Sequence, residues 1–112
     1  MFTMYAIPNC DTVKKARTYL EKKKKDYEFV DFKKCQPTVE DIKRWAAAFG
    51  ELPVNKKGLT YKKYKEEYEA LSEAKKIKFI QEHASMIKRP ILEKKGKVLA
   101  FGFEEEAYSK IK

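Results

Sequence analysis

The sequence predicts an α/β fold built on a four-stranded mixed sheet. Three observations carry this expectation. A strand–helix–strand unit occupies the first third, from Phe2 to Phe32. A stretch with helical periodicity and no strand signal follows. A hairpin with glycine in its turn and a short helix headed by acids closes the chain.

The first strand, Phe2 to Ile7, is rich in aromatic and β-branched residues. Asn9, Asp11 and Thr12 are cap-type residues that can start a helix. In that helix Val13, Ala16, Tyr19 and Leu20 fall on one face at helical spacing, with lysines opposite. Tyr27 to Phe32 alternates as a second strand. Strand, helix and strand within about 30 residues form a βαβ unit, so these two strands run parallel. Pro37-Thr38 with Asp41 then resembles a capping box. Val39, Ile42, Ala46 and Phe49 make an apolar stripe that Trp45 broadens. Gly50 to Gly58 reads as a loop. Thr60 caps a short helix with the stripe Tyr61, Tyr64, Tyr68 and Leu71, whose period suits helix packing rather than a cofactor box. Ser72 starts a further helix with Ile77, Ile80 and Ala84 inward. Ile91-Leu92 and Val98 to Phe101 flank Lys94-Lys95-Gly96-Lys97 as a hairpin. Glu104, Glu105 and Glu106 after Gly102-Phe103 suit a helix N-terminus. The order β-α-β, a helical insertion over about 37–86, then β-β-α is that of a single thioredoxin-like domain spanning 1–112.

Composition bounds the function. The chain has 112 residues, 43% of them hydrophobic and 13% aromatic, enough to bury one core and to exclude disorder. No apolar run is long enough to span a membrane, and Met1 to Tyr5 does not read as a signal peptide, so the expected location is the cytoplasm with no membrane partner. Two cysteines are too few for a disulfide scaffold. With a single His they also cannot complete a structural zinc site without carboxylates, so no metal is expected. The net charge is +9, and seven basic residues lie between Lys14 and Lys25 against one acid, Glu21. The plain reading is a solvated helix face that attracts anions or acidic proteins. Direct nucleic-acid binding is not expected, because the only arginines are Arg17, Arg44 and Arg89.

Cys10 stands where the first strand hands over to the first helix. The N–H groups of a helix N-terminus point outward with partial positive charge and stabilise a thiolate. Lys14 and Lys15 add weak positive potential, which Asp11 slightly opposes. Ligands also dock at the C-terminal ends of parallel strands. A buried structural cysteine is the alternative reading of this position. Three residues on stands Val13, not cysteine, so the site is monothiol. Turnover therefore needs a second thiol from glutathione, a partner protein or Cys35. Cys35 follows the second strand at the same end of the sheet. It pairs with Cys10 only if its loop folds back, and is otherwise inert. His83, late in a helix, reads as a surface or C-terminal residue rather than a general base.

The run Tyr5-Ala6-Ile7-Pro8-Asn9-Cys10-Asp11-Thr12-Val13-Lys14-Lys15-Ala16 resembles the opening of the arsenate reductase (ArsC)/Spx family. This family includes glutaredoxin-linked arsenate reductases, Spx transcription regulators and YffB-like proteins, and the form here is most similar to the YffB-like branch. Val54 to Tyr61, Ile87 to Leu92 and Gly102-Phe103 match further family segments in order along the chain. The resemblance implies a thioredoxin-like fold with Cys10 as nucleophile and Arg89 as the catalytic guanidinium holding an oxyanion or carboxylate beside it, a task suited to its forked donors. It implies a cis bond at Pro90 and a loop basic residue at Lys57, or else Lys56. Asn9, Asp11, Thr12, Lys57 and Pro90 form the implied substrate-binding set. No bound cofactor is implied; glutathione or another thiol is the co-substrate, and glutathione or a glutaredoxin-type protein the partner. Arsenate reductases of this family carry further arginine near the chain end, and Val98 to Lys112 has none. The activity implied is thus a glutathione-dependent thiol reductase rather than arsenate reduction. The alternative is a Spx-like regulator binding RNA polymerase, although Val13 removes the Cys-x-x-Cys switch that Spx proteins often carry.

Overall fold

A computed structural model describes residues 2–8 and 10–111. In chain order the elements are β1 (Phe2–Ala6), α1 (Asp11–Lys22), β2 (Tyr27–Asp31), α2 (Val39–Phe49), α3 (Leu59–Glu69), α4 (Glu73–Glu82), a 3₁₀ turn (Ala84–Met86), β3 (Ile91–Lys94), β4 (Lys97–Phe101) and α5 (Glu105–Ser109). They fall into two compact units, one drawn from Met1–Cys35 and Arg89–Lys112, the other from Gln36–Lys88.

The first unit holds the sheet, in the order β2-β1-β3-β4. β1 runs parallel to β2 and antiparallel to β3, and β3 is antiparallel to β4. The mixed four-stranded sheet is therefore as expected, and so is the thioredoxin-like order of its elements. Along β1, Phe2, Met4 and Ala6 are buried and alternate with half-buried Thr3 and Tyr5, the period-2 signature of a strand with one face in the core. Val13, Ala16 and Leu20, one stripe of α1, join Leu92 and Tyr108 in the same core cluster. The hairpin turns on Lys95 (φ 54°) and Gly96 (φ 77°). Two successive positive φ values match the right-handed twist of the flanking strands, which is why glycine sits here.

In the second unit α2 opens with the expected capping box. The Asp41 N–H donates to Thr38 Oγ1 at 3.0 Å, and the Thr38 N–H donates to Asp41 Oδ2 at 3.2 Å. Gly50 (φ 92°) ends the helix in the left-handed conformation. Thr38→Ala removes one capping acceptor and is expected to destabilise by ~1 kcal/mol, read as a lower urea midpoint with unchanged m-value. Ile42 and Trp45 form the buried face of α2, whereas Val39, placed on the stripe by periodicity, is 36% exposed. As the first helical residue it lies ahead of the turn that packs.

α3 begins at Leu59 with Gly58 as its N-cap, so Thr60 is a helical residue and not the cap. The Lys62 N–H donates to Gly58 O at 3.2 Å, which places the first helical bond earlier than side-chain propensity suggests. Ser72 does begin α4, though its side chain closes no cap bond. The tyrosine stripe packs helix on helix. The rings of Tyr64 and Tyr68 lie 5.5 and 5.9 Å from that of Phe79, and Tyr61 meets Tyr68 edge-on at 6.1 Å. Burial pushes the Tyr68 phenol up to about 12, with the Glu69 charge acting in the same direction. Ala84 lies in the 3₁₀ turn beyond α4 rather than on its inward face. Val54 bridges Ile87, with the Asn55 N–H donating to Met86 O at 2.7 Å and the Lys88 N–H to Pro53 O at 2.9 Å.

Candidate thiol site

Beyond β1 the chain reaches Cys10, whose extended backbone (φ −121°, ψ 128°) makes it the N-cap of α1. The Lys14 N–H closes the first helical bond on Cys10 O at 2.9 Å. This corrects the sequence reading of the cap. Asp11 and Thr12 are the first two helical residues, both exposed, and Asn9 lies outside the described residues. The cysteine thus holds the place where serine or aspartate usually accepts from the helix N-terminus.

A thiol is a weak acceptor, and no cap bond of full geometry closes on it. The electrostatics of the position nevertheless act on the sulfur. Partial burial pushes the Cys10 thiol up, but several groups together outweigh it. These are the Val13 N–H, the charge of the Arg89 guanidinium, the Thr12 N–H and the hydrogen bond from the Arg89 side chain. The net result is a pKa below the ordinary thiol value.

Arg89 is brought to Cys10 by strand register. Tyr5 at the end of β1 pairs with Ile91 at the start of β3, so the residues just before β3 fall beside those just after β1. The Arg89–Pro90 peptide bond is cis, as the resemblance implies. Pro90 is buried, and its carbonyl accepts from the Gly102 N–H at 2.8 Å. Gly102 has φ 71°, so glycine suits this tie between the β4 end and the proline. Local sequence reasoning did not find this link. The positive φ of a glycine between a strand and a helix was the available signal.

The remaining candidates are distributed as follows. Lys57 belongs to the second unit, where it is exposed and its N–H donates to Asn55 Oδ1 at 3.2 Å. Lys56 on the same loop pairs with Glu51 at 3.4 Å. Both cysteines are free thiols, Cys10 half-buried and Cys35 exposed. His83 is the C-cap of α4, stacked 4.1 Å from the Phe79 ring with its Nδ1 3.0 Å from Phe79 O. It is thus the helix-C-terminal residue expected, half-buried and packed on Phe79. Among the described residues no group of three or more His, Cys, Asp or Glu is placed to hold a metal ion. Nor, among the described residues, is any helix long and apolar enough to cross a membrane.

The lowered thiol couples to folding with a definite sign. The native chain holds the Cys10 proton less tightly than the unfolded chain, whose thiol titrates near 8.5. Stability from this group is therefore absent below the native pKa, grows as pH rises, and is complete above about 8.5. Urea melts of reduced protein are expected to show a stability gain between pH 6 and 9 that Cys10→Ser lacks.

Known proteins resemble this chain along nearly its whole length. Residues 5–111 match the model of the ArsC family. A protein of Haemophilus influenzae is 32% identical over 110 residues, covering 96% of each chain. The solved structure of a YffB protein superposes with a TM-score of 0.85 at 39% identity, covering 97% of this chain and 96% of that one. That of an arsenate reductase (ArsC) related protein from Brucella melitensis has a TM-score of 0.73 at 36% identity, covering 98% and 95%. The chain belongs to the ArsC family.

Proposed function

We propose that the protein is a thiol-dependent oxidoreductase with Cys10 as its monothiol nucleophile. The observation that carries this reading is the lowered Cys10 thiol at a helix N-terminus with the Arg89 guanidinium bonded to it. The Cys10 thiolate attacks the glutathione sulfur of a mixed disulfide. The old S–S bond breaks, a new one forms to Cys10, and the displaced thiolate takes a proton from solvent. A second glutathione, as thiolate, then attacks the glutathione sulfur on Cys10 and leaves as oxidised glutathione, so disulfides and electrons balance. Arg89 holds a carboxylate of the incoming glutathione or the charge developing on sulfur. Asp11 and Thr12, the first residues of α1, and Pro90 line the approach. Val98 to Lys112 carries no arginine to complete a cradle for a tetrahedral dianion, so glutathione disulfides fit better than arsenate.

The test is to incubate reduced protein with oxidised glutathione and locate the adduct by peptide mass. One glutathione on the Cys10 peptide is expected, removed by excess reduced glutathione. An adduct confined to the Cys35 peptide would reject the reading.

A further inference from the structure

The helix that Cys10 caps carries a feature that the thiol reaction does not use. Lys14, Lys15 and Lys22 of α1 rim an open groove of about 370 Å³. The rings of Tyr19 and Phe103, 5.9 Å apart, lie between them, and Thr18 and Glu105 complete the lining. Positions 14, 18 and 22 follow the helix period, so the groove runs along α1 away from the end that Cys10 caps. Its first lysine is one turn from Cys10, joined by the helical bond of 2.9 Å. None of the three lysines makes an ion pair with a carboxylate among the described residues.

Arg17, the helix's arginine, is engaged elsewhere. Its guanidinium lies 4.2 Å from the Phe29 ring centre, and its Nε donates to Tyr27 Oη at 3.0 Å. A groove with three unpaired ammonium groups, two rings and no guanidinium is poorly equipped to read nucleic-acid bases. It is complementary in charge and polarity to an acidic polypeptide segment with an apolar side chain.

We propose that this groove docks an acidic segment of a protein whose own cysteine, held as a glutathione mixed disulfide, is the substrate of Cys10. The inference rests on the thiol exchange proposed above and names its substrate class. Cys10 attacks the glutathione sulfur, the bond to the substrate cysteine breaks, and the substrate leaves as a thiolate that takes a solvent proton.

Two synthetic peptides test it. Each carries one tyrosine and one cysteine as its glutathione mixed disulfide, flanked by four glutamates in one and four glutamines in the other. With excess reduced glutathione, the glutamate peptide is expected to be cleared about tenfold faster at low salt. That advantage should vanish near 1 M salt, where charges are screened within ~3 Å. In Lys15→Glu/Lys22→Glu the ratio of the two rates should fall to about one. In Lys62→Glu/Lys65→Glu, which alters net charge equally on α3, the ratio should persist. A ratio near one in the native protein, or an equal fall in both double variants, would overturn the groove. So would a DNA duplex that blocks exchange stoichiometrically at physiological salt, since it would assign the groove to nucleic acid. Failure of both peptides to exchange would reject the thiol reading itself, and the docking with it.

Discussion

Cys10→Ser is expected to slow exchange with glutathione mixed disulfides by at least ~10³-fold while leaving the fold intact or slightly more stable. The loss follows from chemistry at one atom. A serine hydroxyl does not ionise near neutrality, and an oxygen cannot form the disulfide intermediate. Stability moves the other way for a reason found in the backbone. Position 10 is the N-cap of α1, and the N–H groups of Thr12 and Val13 act on its side chain. A hydroxyl accepts such N–H groups better than a neutral thiol, so serine should gain about 0.5–1 kcal/mol at pH 6. Exchange assays alongside urea melts check both halves. The opposed signs separate a reactive cysteine from a structural one, whose removal would lower stability and leave chemistry untouched.

Arg89→Ala is expected to reduce the same exchange rate by about 10–100-fold. A hydrogen bond to a charged group is worth about 1.5–3 kcal/mol, and each 1.4 kcal/mol is tenfold. The guanidinium acts on Cys10 through both its charge and its hydrogen bond, so its loss removes two of the four interactions that lower the thiol. The effect should therefore appear as less thiolate at pH 7. Arg89→Lys should fall between native and alanine, because lysine keeps the charge and loses the planar fork. Stopped-flow alkylation of the three proteins across pH checks the order. An unshifted profile in Arg89→Ala would separate Arg89 from the activation of Cys10.

Much of the fold is legible in the sequence because local signals agree with tertiary need. β1 and α1 show the periods of their buried faces, the Lys95-Gly96 turn carries the glycine that positive φ requires, and Thr38 with Asp41 forms a complete capping box. The errors cluster at helix starts. Propensity favours Asp11 and Thr12 at one helix and Thr60 at another. The backbone instead set the first helical bonds on Cys10 O and Gly58 O. A cap is defined by where the chain turns, and side-chain preference only biases it. Val39 failed similarly, since periodicity assigns a face but not where packing begins.

Cys10 itself is legible as the residue between a strand and a helix. Its partner is not, from local pattern alone. Nothing around Lys88-Arg89-Pro90 says which distant residue this segment will meet. That is decided by the pairing of Tyr5 with Ile91, and only the family resemblance anticipated it. The tie from Gly102 to Pro90 is equally a product of register.

The central claim is that Cys10 is an activated thiol, and one pH profile tests it most directly. Reduced native protein, the same protein unfolded in urea, and Cys10→Ser are each alkylated with iodoacetamide from pH 4 to 10, and the Cys10 and Cys35 peptides are quantified by mass. Cys10 in the native protein should reach half its limiting rate at a lower pH than in the unfolded chain, whose thiols titrate near 8.5. Cys10→Ser should lack that low-pH component altogether. A native Cys10 profile that coincides with the unfolded one, or lies above it, would contradict the account.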